Sequence, residues 1–221
     1  QHNLWQRFIA SYERLSMCVC TLSRRLRQLC FSMPCLNISF ESSLNLKTFW
    51  VVKPIKEQEL DSLTWFVERF LHLRNGADLF RLRIDYPFSY RDLNYDMDYR
   101  IVTWIFNATM CRVQELDLDI ALKNTFCLPL CALNCSSLRV LKLNLNWGNL
   151  KLPNVEFNSL QELSLSKFRV VNPLLAEWIL SYCKALTNLS LRVFYGMSNL
   201  NITSSSLQDM KITFQCQYYC C

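Results

Sequence analysis

One apolar pattern recurs along most of the chain and restricts its fold more than any other feature. It has the form apolar-x-x-apolar-x-apolar. It runs through Leu79-Phe-Arg-Leu82-Arg-Ile84, Val113-Gln-Glu-Leu116-Asp-Leu118 and Leu138-Arg-Val-Leu141-Lys-Leu143. It continues through Leu160-Gln-Glu-Leu163-Ser-Leu165, Leu186-Thr-Asn-Leu189-Ser-Leu191 and Leu207-Gln-Asp-Met210-Lys-Ile212. Successive starts lie 34, 25, 22, 26 and 21 residues apart. One such match would be noise in a chain rich in leucine; six in order are a repeat.

The end of each segment alternates apolar and polar, as a half-buried strand does. A single unit cannot bury its apolar side, so units must stack with their strands parallel. Parallel strands need a crossover, so the chain returns outside between them. Leu174–Tyr182 reads as one return helix, with Asn172 as its cap and Pro173 at the first position, where a missing N–H costs nothing. Leu174, Leu175, Trp178, Ile179 and Tyr182 form its apolar face. Tyr99–Met110 reads the same way, with Ile101, Trp104, Ile105 and Ala108 inward. Upstream, Ile55–Leu73 is expected to be helical through Leu60, Leu63, Val67, Phe70 and Leu71, and to end at Asn75-Gly76. Leu36–Phe40 reads as an earlier strand, and Thr48–Val52 as part of the same opening module.

The last four spacings fall in the range of about 20–29 residues that marks leucine-rich repeats. The expected fold class is α/β: an irregular leucine-rich-repeat solenoid, with a parallel β-sheet on the concave face and helices or turns on the convex face. It is expected to occupy residues 36–221, after a distinct segment 1–35. A regular repeat of this class places Asn or Cys three residues beyond the last apolar position. Asn146 fits, whereas Ala121, Phe168, Phe194 and Gln215 stand elsewhere, so no continuous buried asparagine ladder is expected.

Composition narrows the function. The chain has 221 residues and is 51% hydrophobic, enough to build a core. Its longest stretch without a charged residue, Val193–Gln208, is 16 residues and includes three serines in a row, too short and polar to span a membrane. The three glycines, Gly76, Gly148 and Gly196, are scattered, so no phosphate-cradling loop is expected. The two histidines, His2 and His72, supply little for acid–base chemistry, and His72 reads as a solvated helix residue. No catalytic residue and no cofactor are expected. The first thirty residues carry Arg7, Arg14, Arg24, Arg25 and Arg27 against Glu13, which is +4 of the net +6. The remainder is nearly balanced, unlike a nucleic-acid binder.

Twelve cysteines occur, with no C-x-x-C pair. Zinc needs about four ligands in compact pairs. Cys127, Cys131 and Cys135 step by four, as three thiols along one helix face would, but Pro129 interrupts them and no histidine joins them. They read as buried free thiols, no metal is expected, and the cysteine usage points to cytoplasm or nucleus. The terminal Cys220-Cys221 has the form of a prenylation tail, a minor alternative. Five N-x-S/T sequons, at Asn37, Asn107, Asn134, Asn188 and Asn201, read as coincidences of the repeat.

Several passages resemble one known family. Leu22-Ser-Arg-Arg-Leu26-Arg-Gln-Leu29, followed by Met33-Pro34-Cys-Leu36-Asn-Ile38, is similar to the end of a plant F-box leading into its first repeat, with Leu26 and Cys30 where that text carries tryptophan. Phe66–Arg74, Val113–Leu118, Cys135–Leu143 and Leu150-Lys-Leu-Pro153 are also close to that family's text. The chain thus resembles the plant F-box/leucine-rich-repeat proteins of FBD type over roughly residues 18–214, and the resemblance implies that residues 1–35 are a degenerate or truncated F-box end. The resemblance implies a non-enzymatic substrate-recognition subunit of a cullin-type ubiquitin ligase. Its partners would be a protein substrate and a Skp-type adaptor with its cullin complex, with neither nucleic acid nor membrane involved. Adaptor contact would fall to Leu22, Arg24, Arg25, Leu26 and Leu29. The alternative is a stand-alone repeat scaffold that no longer binds the adaptor.

The polar positions of the aligned segments give the candidate partner-binding residues: Arg81, Arg83, Glu115, Asp117, Asp119, Lys142, Asn144, Glu162, Arg192 and Lys211. With strands neighbouring in order at about 4.8 Å, Arg83, Asp117 and Lys142 are expected to form a cross-strand charge ladder.

Overall fold

The computed structural model describes residues 32–39, 57–74, 76–86, 97–122, 124–170, 175–193, 202 and 205–214. The F-box-like residues 1–31, the segment Thr48–Val52 and the Asn172-Pro173 cap lie outside the described residues.

Among the described residues, eight strands form one sheet with every pairing parallel. They are β1 (Cys35–Ser39), β2 (Arg81–Tyr86), β3 (Glu115–Ile120), β4 (Phe126–Cys127), β5 (Val140–Lys151), β6 (Glu162–Val170), β7 (Asn188–Val193) and β8 (Asp209–Phe214). Their spatial order is β1-β2-β3-β5-β6-β7-β8, with β4 added against β5. Each of the six repeated segments therefore ends in one strand, and the strands stack in chain order. The crossovers described are α1 (Glu57–Leu73), α2 (Met97–Met110), α3 (Leu130–Leu133) and α4 (Leu175–Tyr182).

The apolar alternation sets the register. Leu82, Leu116, Leu141, Leu163, Leu189 and Met210 align, as do Ile84, Leu118, Leu143, Leu165, Leu191 and Ile212. From β2 through β7 all of these are buried, in one core with the first leucine-type position of each unit and the inner helix faces. Those inner faces are Val67 and Leu71 of α1, Ile101, Trp104, Ile105 and Ala108 of α2, and Leu175, Trp178 and Ile179 of α4. Trp178 turns its Nε1–H to the Pro153 carbonyl at 2.6 Å, so its ring is buried without an orphaned donor. Gly76 follows α1 at φ 78°, a conformation that glycine adopts without a Cβ clash.

A second regularity lies in the backbone. The carbonyl just before a strand accepts two amides from the next unit. Pro34 takes Phe80 and Arg81, Phe80 takes Gln114 and Glu115, and Gln114 takes Arg139 and Val140. Arg139 takes Gln161 and Glu162, Gln161 takes Thr187 and Asn188, and Thr187 takes Gln208 and Asp209. This bonding satisfies amides that the ladder has not yet reached, and it locks each unit to its predecessor.

β5 departs from the pattern. Its pairing with β6 steps from Asn144↔Ser166 to Gly148↔Phe168, so β5 carries two extra residues. Asn146 and Trp147 take φ 45° and 74°, and Asn146 donates its N–H to the Asn144 Oδ1 at 3.2 Å. Asn146 is thus a bulge residue and no member of a buried ladder. Beyond the bulge, β5 pairs on one side with β6 and on the other with β4.

Candidate functional site: the polar face of the sheet

The positions between the buried ones all lie on the other face of the sheet. Register places Arg81, Glu115, Val140, Glu162, Asn188 and Asp209 in one row across the strands. Arg83, Asp117, Lys142, Ser164, Ser190 and Lys211 form the second row. Asp85, Asp119, Asn144, Ser166, Arg192 and Thr213 form the third. All ten candidate residues therefore share one face.

Six of them form an ion-pair network. Asp117 Oδ2 accepts from Arg81 Nη2 and, at 3.0 Å, from Arg83 Nη1. Arg81 Nε also lies 3.4 Å from Glu115 Oε1. Lys142 Nζ donates to Glu115 Oε1 at 3.0 Å and lies 3.8 Å from Glu162 Oε1. The expected ladder is therefore corrected: Arg83 pairs with Asp117, but Lys142 reaches diagonally to the flanking glutamates. Asp117 is already bound by two guanidinium groups, and Glu115 and Glu162 flank Lys142 from either side. Burial works to lower the Arg81 guanidinium's pKa, but its hydrogen bond to Asp117 and the charge of Glu115 outweigh it and raise it. Three cations meet three carboxylates, so the network carries no net charge. Its cations are a third or more exposed, so each pair contributes about 0–1 kcal/mol.

The other four candidates lie outside this network. Asn144 binds the bulge backbone, while Asp119, Arg192 and Lys211 have no ion pair among the described residues. Asp85 was not among the candidates, yet it sits opposite Asp119 and accepts a hydrogen bond from Ser39 Oγ at 3.3 Å. The alternation Asn37-Ile38-Ser39 carried the signal for that contact. The adaptor candidates Leu22, Arg24, Arg25, Leu26 and Leu29 lie outside the described residues.

The cysteine step of four does not build one helical face. Cys127 is exposed on β4, Cys131 lies half-buried in α3, and Cys135 is buried beyond it, its Sγ 3.1 Å from Ser137 Oγ. Pro129 stops a helix from spanning all three. No metal-binding cluster of His, Cys, Asp or Glu occurs among the described residues. A small apolar pocket of about 10 Å³, lined by side chains of β5 and β6 and by Trp178, has room for one water at most. No helix among the described residues is long and apolar enough to cross a membrane.

Cys183, at the end of α4, is buried, and burial pushes its thiol up to about 12. An unfolded thiol ionises near pH 8.5, so between about pH 9 and 12 the unfolded state has lost a proton that the folded state keeps. The stability from this group is complete below that window and falls as pH rises through it, by roughly 1.4 kcal/mol per pH unit. Urea denaturation from pH 8 to 11 is expected to show a steeper loss for the native chain than for Cys183→Ala. Equal slopes would mean that the thiol ionises within the fold.

Residues 101–219, more than half of the chain, match the family model described as FBD-associated F-box protein At5g56370, LRR repeats. No curated protein and no solved structure matches the chain.

Proposed function

The chain belongs to the leucine-rich-repeat family of FBD-associated F-box proteins, and from that premise we propose that it is the substrate-recognition subunit of a cullin-type ubiquitin ligase. The sheet is the inner, concave layer of a leucine-rich-repeat solenoid, with the helices on its convex side. The protein is non-catalytic: it holds a protein substrate on the polar face and meets a Skp-type adaptor through Leu22, Arg24, Arg25, Leu26 and Leu29. It works in the cytoplasm or nucleus, without nucleic-acid or membrane partners.

The observation that carries this reading is the polar face itself. Seven stacked strands present polar side chains at nearly every outward position, and helices described with the sheet pack on its other side. Repeat proteins bind partners on such an open sheet surface.

Two arms test it. The full chain is expected to co-purify with a Skp-type adaptor, and Leu26→Asp with Leu29→Asp to abolish that at unchanged circular dichroism. Failure of the intact chain to hold any adaptor would favour the stand-alone scaffold, which the leucine and cysteine at positions 26 and 30 also suit. In the second arm, Asp117→Lys with Lys142→Glu reverses two charges in the network. Capture of cellular proteins is expected to fall at least tenfold. Unchanged capture would reduce the network to a surface salt bridge.

A further inference from the structure

The charges of the polar face divide into those that satisfy one another and those that do not, and the second set is ordered in space. The network of Arg81, Arg83, Glu115, Asp117, Lys142 and Glu162 is neutral and self-bonded. It gives a partner little to neutralise. Asp119 and Arg192 differ. Neither has an ion pair or hydrogen bond among the described residues, and both stand in the third row.

Their surroundings sharpen the contrast. Asp119 lies directly opposite Asp85, and like charges across a strand pair repel. Arg192 lies on β7 beside β8, which carries Lys211, and both cations are exposed. Asn144 and Ser166 stand between the two ends, polar and uncharged. The third row thus runs from Asp85 and Asp119 over β2–β3 to Arg192 on β7, with Lys211 of the second row diagonal to it on β8. Asp119 and Arg192 are three strand spacings apart, about 14 Å.

We propose that this row reads a dipolar, extended segment of a protein partner. The segment lies across the strands, with a lysine or arginine on Asp119 and an aspartate or glutamate on Arg192. At about 3.3 Å per extended residue, 14 Å sets the two charges four or five residues apart. The neutral network beside the row acts as a platform that holds the sheet face rigid. The proposal rests on the polar face being the partner-binding face, and it names the chemistry which that face selects.

The test is selection of random twelve-residue peptides, displayed on phage, against the immobilised full chain. Enriched clones are expected to pair a basic with an acidic residue four or five positions apart. Asp119→Lys puts a cation opposite Asp85, which cancels the acidic end, and is expected to remove the enrichment of the basic residue. Arg192→Glu puts a carboxylate beside Lys211, which cancels the basic end, and is expected to remove the enrichment of the acidic residue. Each reversal is expected to weaken binding of peptides selected on the native chain by about tenfold. Asp119→Asn, which relieves repulsion, keeps the test intact should the lysine variant fold poorly. Ser190→Trp, which sets a bulky ring on β7 beside Arg192, is expected to block all enriched clones. Clones blocked by Ser190→Trp but indifferent to both reversals would overturn the dipolar reading and leave the face intact. Clones indifferent to Ser190→Trp, or no enrichment at all, would overturn the face reading and this one with it.

Discussion

Leu118→Ala is expected to destabilise the fold by about 3–4 kcal/mol, within the 2–5 kcal/mol typical of a buried leucine truncation. Leu118 has no exposed surface, and its register neighbours on the flanking strands are Ile84 and Leu143, both buried. Walled on both sides by pairings that cannot slide without breaking the ladder, the site has little freedom to collapse around a cavity. Losses should therefore sit in the middle of the range or above it. Asp119, the next residue, points to the polar face, and Asp119→Ala is expected to change stability by no more than about 0.5 kcal/mol. Urea denaturation of both variants measures the contrast. Similar losses at the two positions would mean that the in–out alternation of β3 is wrong, and with it the register of the whole sheet.

That alternation explains why so much of the fold could be read from the chain. A strand repeats every two residues, so a shift of one would expose Leu116 and Leu118 and bury Asp117. The motif fixed each strand's phase, and the phase fixed which residues share the polar face. The β1 and α2 expectations held for the same reason, since Ile38, Ile101, Trp104 and Ile105 are buried as the periodicity required. What the sequence hid was settled by geometry without period. Asn146 and Trp147 adopt positive φ although neither is glycine, so the apolar period does not mark the bulge. Gly148 is a partial sign: a Cβ there would stand 2.9 Å from the Leu145 carbonyl oxygen, closer than packing allows. Lys142 had two acidic neighbours within reach of a flexible side chain and one already occupied by arginines, a choice that spacing cannot show. The candidate site was accordingly legible as a set of residues and illegible as a set of bonds. That difference separates the neutral network from Asp119 and Arg192, which have no ion pair among the described residues.

Arg74 is the residue that periodicity passed over, and replacing it is expected to rank with the core truncation. It follows α1 and is 3% exposed, a nearly complete burial for a side chain that is charged at any physiological pH. Its guanidinium donates at 2.6 Å to the carbonyls of Met33 and Asp78, and more weakly to that of Ala77. Burial lowers its pKa, with nearby Cys111 and Asp78 acting in the opposite sense. The bond to Met33 spans 41 residues and ties the lead into β1 to the turn after α1. Arg74→Met keeps most of the stem but strips those carbonyls of their donors inside the protein. Hydrogen bonds to a charged group are worth about 1.5–3 kcal/mol, so a loss of about 3 kcal/mol is expected. Arg74→Lys keeps the charge without the fork and should lose about 2 kcal/mol. The damage is expected to be local first. Pro34 follows Met33 and accepts the amides of Phe80 and Arg81, so hydrogen exchange at those two should quicken before that at Thr187 and Asn188. Uniform exchange along the sheet would show instead that β1 is held by its ladder alone, and that the arginine is one more contact among many.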